Sequence, residues 1–407
     1  MIDLRAARAD PEHFRAAVAR KGAAAAEAFD ELLAADERWR ELVPQVDELR
    51  GRQKVKGKPT PEQLEELKQV KEQLQTLEAD HAAAEARRDE LLQKVPSPPH
   101  ESVPDDMSDD AEGEIARVVG EPRDGPTKDH LELGRFDMER GARLSGSRFG
   151  YIVGDAARLT LALYRWALDR VTAQGFEPVI PPVLAREEAM LGTGFFPAER
   201  FEIYEVVDEG LFLTGTSEVA LAGLHMGEIL DADVLPLRYT AFSTNFRREA
   251  GAAGRDTRGM FRVHQFNKVE MFCYVRPEES WDEHERLLAI EESLASELGL
   301  PYRVVNIAAS GLSAAAAKRY DLEAWFPSQQ RYRELTSASN TTDYQSRRLG
   351  IRYRANGGTE YVHTLNGTAV TDRWALAVLE NFQEEDGSVT VPPVLVEFGG
   401  PERIEPR

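Results

Sequence analysis

Residues 245–272 read NFRREAGAAGRDTRGMFRVHQFNKVEMF. Cations crowd a long glycine-containing turn in a chain whose formal net charge is −21. On an extended strand, residues of one parity share a face. Arg247 and Glu249 therefore point one way, and on the return strand Arg262, His264, Phe266, Lys268, Glu270 and Phe272 share a face. Val263, Val269, Met271, Cys273 and Val275 line the other face and read as core. Arginines and a glutamate do not belong to a core without partners, because desolvating a charge is costly. A face offering arginines, an aromatic plate and a carboxylate suits a ligand with anionic groups, a flat base and a cation. The other reading is a surface ladder of ion pairs. The turn AGAAGRDTRG, with Arg255 and Arg258, is too long for a tight hairpin and reads as a loop that touches something negative.

Working outward, 407 residues exceed one ordinary core, and 42% apolar content with mixed charge indicates a globular protein. The opening MIDLRAARADPEHFRAAVARKG has no apolar run, so no secretory signal is predicted, and no stretch approaches the roughly 20 apolar residues of a membrane span. Cys273 is the single cysteine, which excludes an internal disulfide and a multi-cysteine zinc site. These features predict a cytoplasmic protein with no membrane association. The acidic balance argues weakly against a nucleic-acid partner, a question that only a local basic patch decides.

Between about Ala26 and Val95, Phe29, Leu32, Asp36, Trp39, Val43 and Val46 step by 3 and 4, as do Leu67, Val70, Leu74, Leu77, His81, Ala84, Arg88 and Leu91. Asp36, His81 and Arg88 are the imperfect positions of these seams. RGRQKVKGKPTP separates them, so they are expected to fold back as an antiparallel helical hairpin, the second helix roughly 50 Å long, with Pro44 kinking the first. The tip carries Arg50, Arg52, Lys54, Lys56 and Lys58 with no acid among them. It is either a solvated turn or a cationic probe for a phosphate backbone. The Pro- and Asp-rich stretch Val95–Glu114 marks a boundary, giving an arm domain over 1–100, a linker over 101–113 and a larger domain over 114–407. In the larger domain LFLTGT, LRYTAFSTNF, FRVHQFNKVEMFCYV, YRVVNI and YVHTLNGTAV read as strands among helices, predicting an α+β domain with a mostly antiparallel sheet flanked by helices. No P-loop or G-x-G-x-x-G pattern is present.

FRREAG…GMFRVHQFNKVEMF closely resembles motif 2 of class II aminoacyl-tRNA synthetases, in the form found in bacterial seryl-tRNA synthetases. LTLALYRWALDRVTAQGFEPVIPP resembles motif 1, at the dimer interface, and TLNGTAVTDRWALAVLENFQ resembles motif 3. LTGTSEVALAGLH looks like the serine-binding loop and RYRELTSASNTTDYQSRR like the ATP and metal segment. The blocks occur in the family's order, behind a two-helix coiled-coil arm, and the resemblance covers essentially the whole chain.

The resemblance implies a homodimeric ligase that joins L-serine to ATP as seryl-adenylate and passes serine to the 3′ end of tRNA(Ser), and of tRNA(Sec). It implies that Arg247 holds the α-phosphate and the serine carboxylate, while Glu249 holds the adenine amino group. Phe266 and Arg373 sandwich the adenine, and Arg248, Val263, Leu335 and Thr336 complete the ATP contacts. Glu334 and Ser337 match the Mg2+ ligands that accompany ATP, a hard-oxygen pair suited to that ion, and no zinc is expected. Without that context Glu334 reads as an ion-pair partner of Arg331 or Arg333. Thr216, Ser217, Glu218, Glu270, Asn366 and Thr368 carry the serine contacts, with Thr216 also a candidate helix cap. The arm tip, Arg255 and Arg258 are the tRNA contacts. In NGTAVTDR motif 3 is one residue shorter than usual, which bears on the register of Arg373. A paralogue supplying activated serine to specialised metabolism, a carrier-protein ligase and an inactive RNA-binding homologue are the rival readings.

Overall fold

The computed structural model describes residues 1–54, 60–108, 111–250, 256, 258–355 and 357–406. The chain divides into two compact units, Met1–Pro98 and Pro99–Arg407.

In the first unit the two seams form helices α1 (Ala23–Arg52) and α2 (Pro61–Lys94). Thr60 starts α2 with a reciprocal capping box: its hydroxyl accepts from Gln63 N and its own N–H donates to Gln63 Oε1. Pro44 lies inside α1, which continues through it. The helices run antiparallel, since Glu31 pairs with Arg87 and Arg52 with Glu66. Phe29, Leu32, Val46, Val70, Leu74 and Leu91 are buried as the spacing predicts, while Leu42 is buried in preference to Val43. The three imperfect positions have tertiary partners. Asp36 is fully buried and accepts from Arg8 Nε at 2.7 Å and Arg40 Nε at 3.0 Å. Arg88 lies 4.1 Å over the Trp39 ring, and His81 packs against the same indole.

In the second unit eight strands form one sheet: β1 (Gly113–Val119), β2 (Glu177–Val179), β3 (Leu237–Phe246), β4 (Gln265–Val275), β5 (Tyr302–Ile307), β6 (Lys318–Phe326), β7 (Arg331–Thr342) and β8 (His363–Thr371). Their order is β1-β5-β6-β7-β8-β4-β3-β2. Every pairing is antiparallel except that of β2 with β3. Helices α3 (Asp155–Ala173), α4 (Ser280–Leu298) and α5 (Asp372–Asn381) pack into the same core as one face of the sheet. Trp166, Leu163, Leu287, Leu294, Trp374 and Leu376 meet Val269, Met271, Cys273 and Val275 of β4 there. This is the parity expected of β4. Residues 261–264, however, precede the strand, so Arg262 reaches the cavity from a bend, while His264, expected on the same face, does not border it and sits with Nδ1 2.9 Å from Arg247 O.

Beyond Glu270 the opposite face of β4 is covered too. Phe272 and Tyr274 are buried in a second cluster with Leu221, Tyr239 and Ile351. Phe272, expected on the ligand face, is therefore core, and the open part of that face is Phe266–Glu270. Within the stretch 101–113, Ser102 O accepts from Asn306 Nδ2 at 2.9 Å, and Val103 packs on Val305 and Ile307. Among the described residues no helix is long and apolar enough to cross a membrane.

Candidate active site

Adjacent strands β4, β7 and β8, the end of β3 and the start of α5 border one cavity on the open face of the sheet. Register decides which side chains enter it. Glu270 lies opposite Thr368 while Val269 lies opposite Val370, so β8 carries one extra residue, Ala369, between them. A similar irregularity in β7 leaves Leu335 unpaired, between Glu334 opposite Glu323 and Thr336 opposite Leu322. In a regular strand, positions three apart face opposite ways. The extra residue turns Glu334 and Ser337 to the same cavity.

One end of the cavity is small and acidic. Lys268 Nζ forms an ion pair with Glu270 and lies 2.6 Å from Thr216 Oγ1, with Lys268 and Glu270 side chains 8% and 1% exposed. Thr368 Oγ1 donates to Glu270 at 3.5 Å. Glu218 Oε1 accepts from Gln345 Nε2 at 2.7 Å and Asn366 Nδ2 at 3.1 Å. Burial, reinforced by the charge of Glu270, pushes the Glu218 carboxyl up to about 7. Burial also raises Glu270, against the pull of Lys268. Two buried carboxylates, an ammonium and four hydroxyl- or amide-bearing neighbours are the chemistry of a site for a small zwitterion bearing a hydroxyl.

The other end is cationic and aromatic. The Arg247 guanidinium sits 5.5 Å from the Phe266 ring, and its Nε donates to Gly215 O at 3.2 Å. Glu249 lies beyond the end of β3 with φ +52° and pairs with Arg262. Strand β8 ends at Thr371 and α5 starts at the next residue, so the shortened motif still delivers Arg373 on the first turn of the helix. Arg373 Nη1 donates to Glu334 Oε2 at 3.1 Å, and its guanidinium lies 4.6 Å from the Phe261 ring. Burial disfavours a charge on Glu334, but Arg373 and then Arg319 outweigh it and hold the carboxyl down at about 2. An ionised carboxylate and the Ser337 hydroxyl, both bordering the cavity, fit Mg2+, which takes few protein oxygens and fills its shell from phosphates and water. Among the described residues no group of three or more His, Cys, Asp or Glu side chains could hold a metal.

Not every sequence-expected residue enters. Arg248 does not border the cavity, and its backbone N–H donates to Glu202 O at 2.7 Å. Ser217 is buried beside it, its hydroxyl without a partner among the described residues. The Thr216 hydroxyl also accepts from Glu218 N at 3.1 Å, but the N-cap of the helix that follows is Ser217, so Thr216, expected as the cap, stands one residue ahead of it. Leu335 and Val263 border the cavity as members of the main core, and Thr336 Oγ1 donates to the buried Glu291 at 3.1 Å. Glu334 pairs with Arg319 and Arg373, while Arg333 pairs with Asp256. Of the expected tRNA contacts, Arg50 and Arg52 pair with Glu78 and Glu66 across the hairpin, Lys54 is exposed, and Arg258 lies 3.5 Å from Asp129. Lys56, Lys58 and Arg255 lie outside the described residues.

Sequence reasoning missed Lys268 as a site residue although it stood on the ligand-facing parity. It also missed the Arg319–Asp321 pair, which is bidentate at 2.6 and 2.7 Å and braces Glu334. The alternation of Arg319, Asp321 and Glu323 along one strand was the available signal.

The family model described as tRNA synthetase class II core domain (G, H, P, S and T) matches residues 201–382, and that of the seryl-tRNA synthetase N-terminal domain matches residues 1–99. The serine–tRNA ligase of Thermobifida fusca is 48% identical, with 100% of this chain and 99% of the relative aligned. That of Mycobacterium tuberculosis is 46% identical, covering 100% of both. Among solved structures, the seryl-tRNA synthetase of Pyrococcus horikoshii complexed with ATP superposes with a TM-score of 0.92 at 40% identity over 100% of both chains. The cytoplasmic serine–tRNA ligase of Naegleria fowleri in complex with AMP gives 0.86 at 33%, covering 98% of this chain and 96% of the other. With relatives this similar along its whole length and the class II core built around its cavity, the chain belongs to the seryl-tRNA synthetases.

Proposed function

We propose that this chain is a serine–tRNA ligase that uses ATP to make seryl-adenylate and then charges tRNA(Ser). The observation that carries the reading is the two-ended cavity, in which an acidic, hydroxyl-lined pocket adjoins an arginine and aromatic platform. L-Serine fits the first end. Its ammonium is drawn to Glu270 and Glu218, and its hydroxyl is met by the buried polar groups of Thr216, Thr368 and Asn366. Alanine would leave those groups unpaired, which is the physical basis for rejecting it by about 10⁴-fold. ATP fits the second end, with adenine on Phe266, its amino group toward Glu249, and the phosphates toward Arg247 and Arg373.

In the first step a serine carboxylate oxygen attacks the α-phosphorus, and the bond to the pyrophosphate oxygen breaks. The nucleophile is already an anion, so no general base is required; Arg247 neutralises the reacting phosphate and aligns the two reactants. In the second step a ribose hydroxyl of the tRNA 3′ end attacks the seryl carbonyl, the bond from that carbon to the phosphate oxygen breaks, and AMP leaves as its phosphate takes up the hydroxyl proton. Glu334 and Ser337 would hold the Mg2+ that accompanies ATP, which would supply neutralising charge to the phosphates. The Arg373–Glu334–Arg319 chain keeps that carboxylate ionised and oriented.

Three further assignments belong to this reading. Residues 1–100 form the tRNA-binding arm, with the basic tip touching the tRNA backbone, and tRNA(Sec) is a second substrate. The chain acts as a homodimer: Leu161 on α3, Ile180 after β2 and Phe242 on β3 are 65%, 96% and 38% exposed, and Ile180 and Phe242 follow directly on the paired residues Val179 and Ala241. It works in the cytoplasm. Serine-dependent ATP–pyrophosphate exchange followed by charging of tRNA(Ser) tests the function. Exchange without charging would favour the paralogue supplying activated serine, and absence of both an inactive homologue.

A further inference from the structure

We propose that His130, held by Glu380, is a positioning residue for the ATP end of the cavity, through its grip on the return limb of the glycine-containing loop, Gly259–Val263. The inference rests on the proposed function, in which this end takes ATP. His130 opens the short helix His130–Leu133, outside every motif that suggested function, and is 5% exposed. Glu380, on α5, is 1% exposed. Glu380 Oε1 accepts from His130 N at 3.3 Å and lies 3.1 Å from His130 Nδ1, while Oε2 accepts from Ser328 N at 3.2 Å.

A carboxylate only accepts, so the proton of the neutral imidazole belongs on Nδ1 and Nε2 is left as an acceptor. That acceptor takes Met260 N–H at 3.2 Å. The approach demands glycine next door: Gly259 has φ +82°, and a Cβ there would sit 2.5 Å from His130 Nε2. The limb that follows forms a wall of the cavity through Met260, Phe261, Arg262 and Val263. Phe261 O accepts from Arg373 Nε at 3.3 Å, and its ring lies under the Arg373 guanidinium. Helix α5 thus carries Arg373 at its start and, at Glu380, the anchor for the loop that faces Arg373. The pin sets the distance between two walls of the ATP end. The serine end is built on β4, β8 and Thr216–Glu218, to which His130 makes no hydrogen bond among the described residues.

The test uses full-length His130→Asn, His130→Gln and Gly259→Ala in serine-dependent ATP–pyrophosphate exchange. Asn keeps an N–H toward Glu380 but leaves Met260 N–H buried and unpaired, so the KM for ATP should rise about tenfold while that for serine stays within about twofold. Gln, whose amide oxygen reaches further, should recover most of the loss. Gly259→Ala should reproduce the ATP-selective defect, and it decides the matter if His130→Asn does not fold. Equal KM changes for ATP and serine, or wild-type ATP KM in both His130→Asn and Gly259→Ala, would overturn the proposal. A wild-type protein without serine-dependent exchange would refute the functional reading instead, before any variant is compared.

Discussion

Arg50 in the hairpin and Lys268 in the cavity each pair with a glutamate, and the resemblance ends there. The Arg50 and Glu78 side chains are 57% and 41% exposed, whereas those of Lys268 and Glu270 are 8% and 1% exposed. An exposed pair is worth about 0–1 kcal/mol, because water screens it and side-chain entropy opposes it. Breaking a buried pair by removing one partner costs about 3–5 kcal/mol, because the other charge is stranded. Arg50 is therefore free to exchange Glu78 for a phosphate, while Lys268 and Glu270 must stay together until a ligand supplies the missing charge. A cation and a glutamate thus make an exchangeable surface pair in one place and a preorganised pocket in the other.

The largest effect should come from the cavity. In the proposed mechanism Arg247 meets the reacting phosphate, so for Arg247→Ala ATP–pyrophosphate exchange should fall by about 10³-fold. Retention of a tenth of wild-type exchange would break the contrast, since the pocket would then tolerate loss of a charge as the arm does.

A smaller and differently distributed effect is expected for the arm. Replacing Arg50, Arg52, Lys54, Lys56 and Lys58 by Ala should leave exchange intact and raise the KM for tRNA about tenfold or more. The salt dependence of tRNA binding should become shallower, its log–log slope falling by about 0.9 for each phosphate that the tip no longer neutralises. Unchanged charging of tRNA would show the tip to be a solvated turn.

The smallest effect, on stability, sharpens what burial does to a single acid. Glu218 has an ordinary value of 4.5 and a folded value of about 7. The native state keeps a proton that the unfolded chain releases, so stability falls as pH rises through that window. Glu218→Gln has no proton to release and should lack this fall. Urea midpoints at about pH 5 and about pH 7.5 measure it, and equal pH dependence in the two proteins would show that Glu218 ionises freely.

Much of this was legible beforehand, for a local reason. The hairpin seams repeat with the helix period and β4 alternates with the strand period, so Phe29, Leu32, Val70 and Leu74 on one hand, and Val269 and Met271 on the other, announced their burial. Asp36 and Arg88 did not, since their partners Arg8 and Trp39 belong to other helices. Phe272 was misassigned because strand parity says which face a residue takes and not whether that face is covered.

Local periodicity and the order of the motifs by themselves determined the helical hairpin, the antiparallel sheet and most of the residues that border the cavity. Tertiary structure alone decided how those residues act. Thr216 meets Lys268 across 52 positions and Glu218 meets Asn366 across 148, and one unpaired residue in β7 turns Glu334 and Ser337 to the same side. The reason is physical: the cost of a charge, the tautomer of His130 and the proton on Glu218 depend on desolvation and on partners, which exist only once distant segments are packed together.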